Sequence, residues 1–313
     1  MLEFSTLRIR RKRVNVVAFG QSDVGVVRTN NEDSFVMADL TNGQRKIASS
    51  ALDHVVGEKG SLFVVADGMG GANAGEVASL MAVELVSNNL SQQLGRISRI
   101  SRRDFVEALK KAVEQANAAI HQESRNNEER KGMGTTITAA AVYDGAVFFA
   151  QVGDSRGYIL RNGLLGQMTQ DQSLVAHLIA SGALTPEEAK KHPQRNVILQ
   201  ALGVQPEVNV ALSFEELRRG DSVVVCSDGL WGKVEAEELK DILRCYSTPE
   251  QACQQMIKMA RERGGEDNIT VIVARFEGER LQPPSPDEVV VNKPFSFDDV
   301  GQRGWRFWQW RRS

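Results

Sequence analysis

Apolar and polar positions divide the chain into short strands and a few longer amphipathic helices. Leu62 to Ala66 is apolar throughout, the pattern of a buried strand, and it runs into Asp67-Gly68-Met69-Gly70-Gly71, a carboxylate followed by a glycine-rich turn. Upstream, Val14 to Phe19 and Asp33 to Met37 read as strands, joined by an arginine-bearing loop that closes on Glu32-Asp33. Residues 40–61 are polar and glycine-bearing, which predicts a loop or an irregular hairpin. Gly75 to Leu90 has the spacing of a moderately amphipathic helix. Arg102 to Asn126 is a stronger helix, with Phe105, Leu109, Ala112, Val113, Ala116, Ala119 and Ile120 on one face and Ser101 placed to cap its start.

After residue 134 the period shortens. Thr135 to Val142, Ala146 to Val152, Tyr158 to Leu160 and Leu164 to Met168 read as strands. Asp144-Gly145 and Asn162-Gly163 are type I′ hairpin signals, so these strands pair antiparallel, which argues against a doubly wound parallel sheet. Residues 170–203 break the pattern with a helix from Ser173 to Ser181 and another opened by Thr185-Pro186-Glu187-Glu188; such an insertion is a recognition flap or mere decoration. Val208 to Phe214 and Ser222 to Ser227 return to strands, the second ending in Asp228-Gly229. Helices over Glu235 to Leu243 and Thr248 to Gly264 and a closing strand, Ile269 to Phe276, complete a domain over 14–278. A basic extension, 1–13, precedes it. A Pro-rich linker and a Trp- and Arg-rich tail, 279–313, follow it.

Composition changes this picture little. Of 313 residues, 42% are hydrophobic and 25% charged, as in ordinary soluble domains. The formal net charge of −2 gives no electrostatic case for nucleic acid as a partner. Cys226, Cys245 and Cys253 have no metal-ligand spacing and fit a reducing compartment. No apolar run approaches the ~20 residues of a membrane span, and Val14 to Phe19 is too short for a signal-peptide core. The expectation is a soluble, cytoplasmic protein.

Chemistry enters with the acids. Asp67, Asp154, Asp228 and Asp267 all stand beside predicted strand ends with small neighbours, and Glu32-Asp33 makes a further pair. Carboxylates converging on one place repel unless cations are bound, and an all-oxygen set suits Mg²⁺ or Mn²⁺. Arg28 offers the planar fork that grips a phosphate.

The ordered set Arg28…Glu32-Asp33, Asp67-Gly68-Met69-Gly70-Gly71, Gly134-Thr135-Thr136, Val152-Gly153-Asp154-Ser155-Arg156, Ser227-Asp228-Gly229-Leu230 and Asp267-Asn268-Ile269-Thr270 resembles the metal-dependent protein phosphatases (PPM), the type-2C serine/threonine phosphatases, in their bacterial form. The resemblance spans about residues 14 to 276. It implies an α+β fold, an α-β-β-α four-layer sandwich of two packed antiparallel sheets flanked by helices. It implies two core Mn²⁺ or Mg²⁺ ions bridged by Asp67, with the Gly68 carbonyl on one ion and Asp228 and Asp267 on the other. Asp154 would help hold a third, looser ion, Glu32 and Asp33 would hold metal-bound waters, and Asn268 would support Asp267. Arg28 would clamp the phosphoryl oxygens while a metal-bridging hydroxide attacks phosphorus. The family's flap falls at 170–203, with Gln172, His192 and Asn196 as substrate contacts. Two positions depart from common patterns: Met69 stands where many eukaryotic members carry His, and Asp171-Gln172-Ser173 where relatives commonly show Asp-His-Ser.

The implied function is hydrolysis of phosphoserine and phosphothreonine in proteins, opposing a partner Ser/Thr kinase. The rival readings are a non-catalytic phosphoprotein-binding regulatory domain and a narrow switch phosphatase for one transcription regulator. The tail Trp305-Arg306-Phe307-Trp308-Gln309-Trp310-Arg311-Arg312 either docks on a partner or a membrane surface, or folds back on the domain.

Overall fold

The computed structural model describes residues 13–70 and 74–297. Gly71, the cluster Arg8, Arg10, Arg11 and Lys12, and the tail from Asp298 lie outside the described residues. In chain order the first strands are β1 (Asn15–Asp23), β2 (Asp33–Asp39), β3 (Gln44–Lys46), β4 (Ser50–Val55) and β5 (Ser61–Met69). Helices α1 (Ala74–Gly95) and α2 (Arg102–Asn126) follow. Then come β6 (Gly134–Thr135), β7 (Ile137–Tyr143), β8 (Ala146–Val152), β9 (Arg156–Arg161) and β10 (Leu164–Gln167). The flap carries α3 (Leu174–Ala180) and α4 (Pro186–Lys191). The remainder is β11 (Ala211–Glu216), β12 (Ser222–Cys226), α5 (Asp228–Trp231), α6 (Ala236–Cys245), α7 (Pro249–Glu262), β13 (Ile269–Glu277) and β14 (Lys293–Pro294).

One sheet has the order β10-β9-β12-β13-β1-β4, the other β14-β11-β8-β7-β5-β2-β3 with β6 beside β5, and the pairings are antiparallel. The unbroken apolar run of β5 has a direct cause: Phe63 and Val65 enter the core between the sheets, while Leu62, Val64 and Ala66 face the helices. Phe105, Leu109 and Val113 of α2 and Val83, Val86 and Leu90 of α1 cover that outer face. Leu239 and Ile242 of α6 and Met256 and Ile257 of α7 cover the other sheet at Val224, Val271 and Val273. The four layers are therefore helix, sheet, sheet, helix, as the resemblance implied.

Local signals explain the ends. Ser101 accepts from the Asp104 amide while the Asp104 carboxylate accepts from the Ser101 amide, a complete capping box. Asp144 and Asn162 take φ of 49° and 52°, with Gly145 and Gly163 at 78° and 74°, as the two tight hairpins require.

Three segments depart from the sequence reading. Residues 40–61 form no hairpin: β3 pairs with β2, but β4 crosses to the other sheet and pairs with β1. Only Leu52 of β4 is fully buried, so its apolar signal is too slight to announce a strand. Asp67-Gly68 is no turn, because β5 runs on through Met69, where β6 pairs with it. And residues 281–297 do not behave as a free linker. Leu281 is buried, Phe295 stacks edge-on to Phe148 and Phe214, Lys293 pairs with Glu215, and Glu288 pairs with Arg161. These anchors are spaced without period among prolines, which hides them from a periodicity reading.

Arg161 ties this strap to the interior. Its side chain is 1% exposed and forks onto Asp221 at 3.0 and 2.7 Å. It also reaches Glu288 at 3.0 Å and the Glu216 carbonyl at 2.6 Å. Arg161→Met is expected to lower unfolding stability by about 3 kcal/mol or more, because Asp221 is left buried without its partner. The urea midpoint checks this, and an unchanged midpoint would show that the cluster contributes nothing.

Candidate active site

The acids singled out in the sequence arrive at one end of the sandwich from both sheets. Asp33 opens β2 and stands opposite Asp67 of β5 in register. Asp154 follows β8, Asp228 opens α5 directly after β12, and Asp267 precedes β13. Glycine permits the approach: a Cβ on Gly68 would stand 2.2 Å from the Gly75 carbonyl oxygen and 2.5 Å from that of Glu32. The Gly68 amide donates to the Glu32 carbonyl at 3.1 Å, which locks the loop before β2 onto β5.

Charge accumulates here faster than the surroundings satisfy it. Asp33 and Asp154 are buried, and Asp33 Oδ1, Asp154 Oδ1 and Asp228 Oδ1 are buried without a hydrogen-bond partner. Burial pushes the Asp33 carboxyl up to about 7, against the pull of hydrogen bonds from Thr270 and Ser227, with Asp228 and Asp267 adding to the rise. Asp154 also rises to about 7, through burial first and then Asp228 and Asp171. Asp67 is lifted well above the usual range by burial and by Asp33, Asp228, Asp154 and Asp267. Asp228 is raised by burial and Asp267, and a hydrogen bond with Asp67 lowers it in part. Glu32 is raised mainly by burial.

Orphaned carboxylate oxygens amid mutually repelling acids, with no imidazole or thiolate among them, are a donor set that fits hard divalent cations. Among the described residues no three such side chains are gathered closely enough to enclose an ion as they stand. Asp267 is engaged elsewhere: Arg28 Nε and Nη2 each reach its carboxylate at 3.0 Å. That fork is the group assigned to the phosphate. With side chains 51% and 42% exposed, the pair contributes at most ~1 kcal/mol and opens readily.

Asn268 does more than the sequence suggested. Its backbone amide donates to Asp267 Oδ1 at 2.9 Å, while its side chain accepts from the Glu32 amide and donates to the Val24 and Asn30 carbonyls. It staples the Arg28 loop to β13. Ser227, given no role from sequence, donates to Asp33 Oδ2 at 2.7 Å and accepts from the Thr270 amide at 3.0 Å. Trp231 was also missed. Its indole donates to the Asp154 carbonyl at 3.1 Å, and Arg156 lies 3.6 Å over its ring while forking onto Asp171. Ser227 opens a quoted motif and Trp231 directly follows it, which was the available signal.

The flap is pinned at both ends and loose between them. Leu199 donates to the Gln172 carbonyl, Thr135 pairs with Leu202, and Asn117 accepts from the Gly203 amide. No residue of α3 is buried, and only Ala189 of α4 is. Gln172 turns inward: its Oε1 accepts from the Gly153 amide at 2.8 Å, and its backbone N–H donates to the Gly153 carbonyl at 3.0 Å. His192 ends α4, and Asn196 is exposed.

A protein-family model described as Protein phosphatase 2C matches residues 48–270. The serine/threonine phosphatase stp of Listeria monocytogenes serotype 4b (strain F2365) is 35% identical over 253 residues, covering 81% of this chain and 93% of that protein. The crystal structure of the Mycobacterium tuberculosis serine/threonine phosphatase PstP/Ppp aligns with a TM-score of 0.70 at 36% identity, covering 84% of this chain and 99% of that one. The catalytic domain of serine threonine protein phosphatase PstP in complex with two manganese ions aligns with a TM-score of 0.67 at 34% identity, covering 84% and 99%.

The raised carboxyls make the stability of chelator-treated protein pH-dependent. A carboxyl whose folded value lies near 7 holds its proton more tightly folded than unfolded, so its stabilisation is full below about pH 4 and is lost as pH rises through about 7. Melting of the chelated protein should fall by a few degrees between about pH 6 and about pH 8. Added Mn²⁺ should remove most of that slope. A flat profile without metal would show that folding does not raise these carboxyls.

Proposed function

The chain belongs to the protein phosphatase 2C family, and from that premise we propose how its residues divide the work of a serine/threonine protein phosphatase. The enzyme releases phosphate from phosphorylated serine and threonine, and it depends on Mn²⁺ or Mg²⁺. One observation carries the assignment of the site: acids from both sheets meet with orphaned oxygens beside an arginine fork. Asp67, the Gly68 carbonyl, Asp228 and Asp267 would hold the two core ions, Asp154 a third, and Glu32 and Asp33 their waters. When bound, the ions offset the carboxylate charge, polarise the phosphoryl group and acidify water at the site.

The chain's own groups do the rest. Arg28 releases Asp267 and grips the phosphoryl oxygens, exchanging a carboxylate for a more highly charged partner. Ser227 fixes the orientation of Asp33, and Asn268 keeps the Arg28 loop against β13. Met69 offers no proton, so the departing serine or threonine oxygen takes its proton from water. A partner Ser/Thr kinase would supply the substrates. Retention of every site acid disfavours a purely binding role. No helix among the described residues is long and apolar enough to cross a membrane. We read the compartment as cytoplasmic and the Trp-bearing tail as a docking element.

Phosphate release from a phosphothreonine peptide should require added Mn²⁺ and stop on chelation; activity that survives exhaustive chelation would sink the reading. Asp67→Asn should lose most turnover with the circular dichroism unchanged. Arg28→Ala should raise KM for the peptide by roughly tenfold or more. Within the flap, His192→Ala and Asn196→Ala should alter phosphopeptide kinetics while aryl-phosphate turnover holds. Gln172→Ala should lower both, because it holds the turn that carries Asp154. Equal behaviour of all three variants would remove that distinction.

A further inference from the structure

Side chains alternate along β5, and the alternation continues past the acids. Phe63 and Val65 enter the core between the sheets, so Asp67 and then Met69 project on that same face, with buried Gly68 between them. Met69 is half-buried and follows Asp67 by one strand repeat, about 7 Å. Its cross-strand partner is Gly134 of β6. A Cβ on Gly134 would stand 2.9 Å from Val204 Cγ2 and 3.5 Å from Met69 Cγ, so Val204 fills the space that a side chain would take there. The valine and the methionine thus lie side by side at the catalytic end, and Val204 remains 48% exposed.

The backbone that presents this valine is held on both sides. The Gly203 amide donates to Asn117 Oδ1 at 2.8 Å, and the Gly203 carbonyl accepts from His121 Nδ1 at 3.0 Å. Asn117 Nδ2 donates to the Gln205 and Pro206 carbonyls, each at 3.0 Å. Asn117 is buried, so an interior amide of α2 fixes the chain before and after Val204. Gly203 takes a φ of 84°, and a Cβ there would meet Ile120 Cγ2 at 2.5 Å, which seats the turn against α2. Beyond Val204 a cleft of about 350 Å³ runs past His121, Arg125, Glu128 and Lys131. Lys131 pairs with Glu128 at 3.3 Å, so the cleft carries both signs of charge and gives room for a chain without favouring either sign.

We propose that Met69 and Val204 form an apolar subsite that selects phosphopeptides with a large aliphatic residue within two positions of the phosphorylated serine or threonine. The inference rests on the phosphatase reading and narrows its substrates. Side chains two apart in an extended peptide repeat at about 7 Å, the spacing from Asp67 to Met69. A phosphoryl group at the acids therefore brings a flanking side chain over the methionine. The unbranched thioether moulds to aliphatic groups of different shape. The exposed valine beside it extends the surface that a leucine or isoleucine covers and removes from water.

The test measures kcat/KM of the full chain with Mn²⁺ on one phosphothreonine peptide in which each of the two residues on either side is leucine, serine or arginine in turn. An aryl phosphate is the control. Leucine at one of these positions should raise kcat/KM roughly tenfold over serine, mainly through KM. Val204→Ser should remove most of that advantage, and Val204→Glu should transfer the preference to arginine at the same position. Both variants should keep aryl-phosphate turnover, which shows that they fold. A merely structural valine would not exchange one preference for another. Equal rates on all the peptides overturn the proposal and leave the phosphatase reading standing. A leucine preference that survives both variants also overturns it, and moves the contact to the exposed Val26 and Val27 beside Arg28. Equal losses on peptides and aryl phosphate overturn it too, since Val204 would then support the site and select nothing. Turnover of the aryl phosphate with every phosphothreonine peptide spared would overturn the phosphatase reading, and the proposal with it.

Discussion

Repulsion among carboxylates is the constraint on which the rest depends. Asp33, Asp67, Asp154, Asp228 and Asp267 share one end of the sandwich, and each that shows a shifted value is raised by burial and by its acidic neighbours. A single flexible loop could not hold such a group together. Here the acids sit at the ends of strands from two sheets whose facing sides bury Phe63, Phe149, Ile272 and Phe276, so the backbone cannot relax the crowding away. The local devices follow: glycines at 68 and 75 for close approach, Ser227 on Asp33, and Asn268 across the Arg28 loop. Each holds a charge where its neighbours would expel it.

Wherever a residue acts on its immediate neighbours, the sequence was readable. Ser101 and Asp104 announce the start of α2 within one turn, and Asp144-Gly145 and Asn162-Gly163 announce hairpins through φ values that few other pairs accept. The order of acid-bearing motifs was equally plain. What escaped was set by partners distant in the chain. β4 has one fully buried residue and owes its existence to β1. The strap over 281–297 is held by Arg161, Phe148 and Phe214, more than a hundred or some eighty residues away in sequence. Gln172 looked like a surface contact because its inward partner, Gly153, offers only backbone.

The flap thereby acquires two kinds of residue. Gln172 and Asp171 belong to the catalytic body, through Gly153 and through the Arg156–Trp231 stack beneath Asp154. The stretch from α3 through Asn196 has almost no buried surface, and just beyond it Val197 and Leu199 expose their side chains. The exposed stretch can therefore change without disturbing the turn that carries Asp154.

The place of β1 has a consequence for how the protein comes into being. It lies between β4 and β13, and its longest-range partners, Asn15 and Glu277, are separated by nearly the whole described chain. Among the described strands of its sheet, the first in chain order waits for the last, β13, before the sheet can close. Such long-range pairing makes folding slow and leaves strand edges open meanwhile. Asp267 and Asn268 precede β13, so the acid cluster is complete only once that sheet has closed. A chain cut before β13 lacks Asp267 and Asn268, and with them the complete acid cluster.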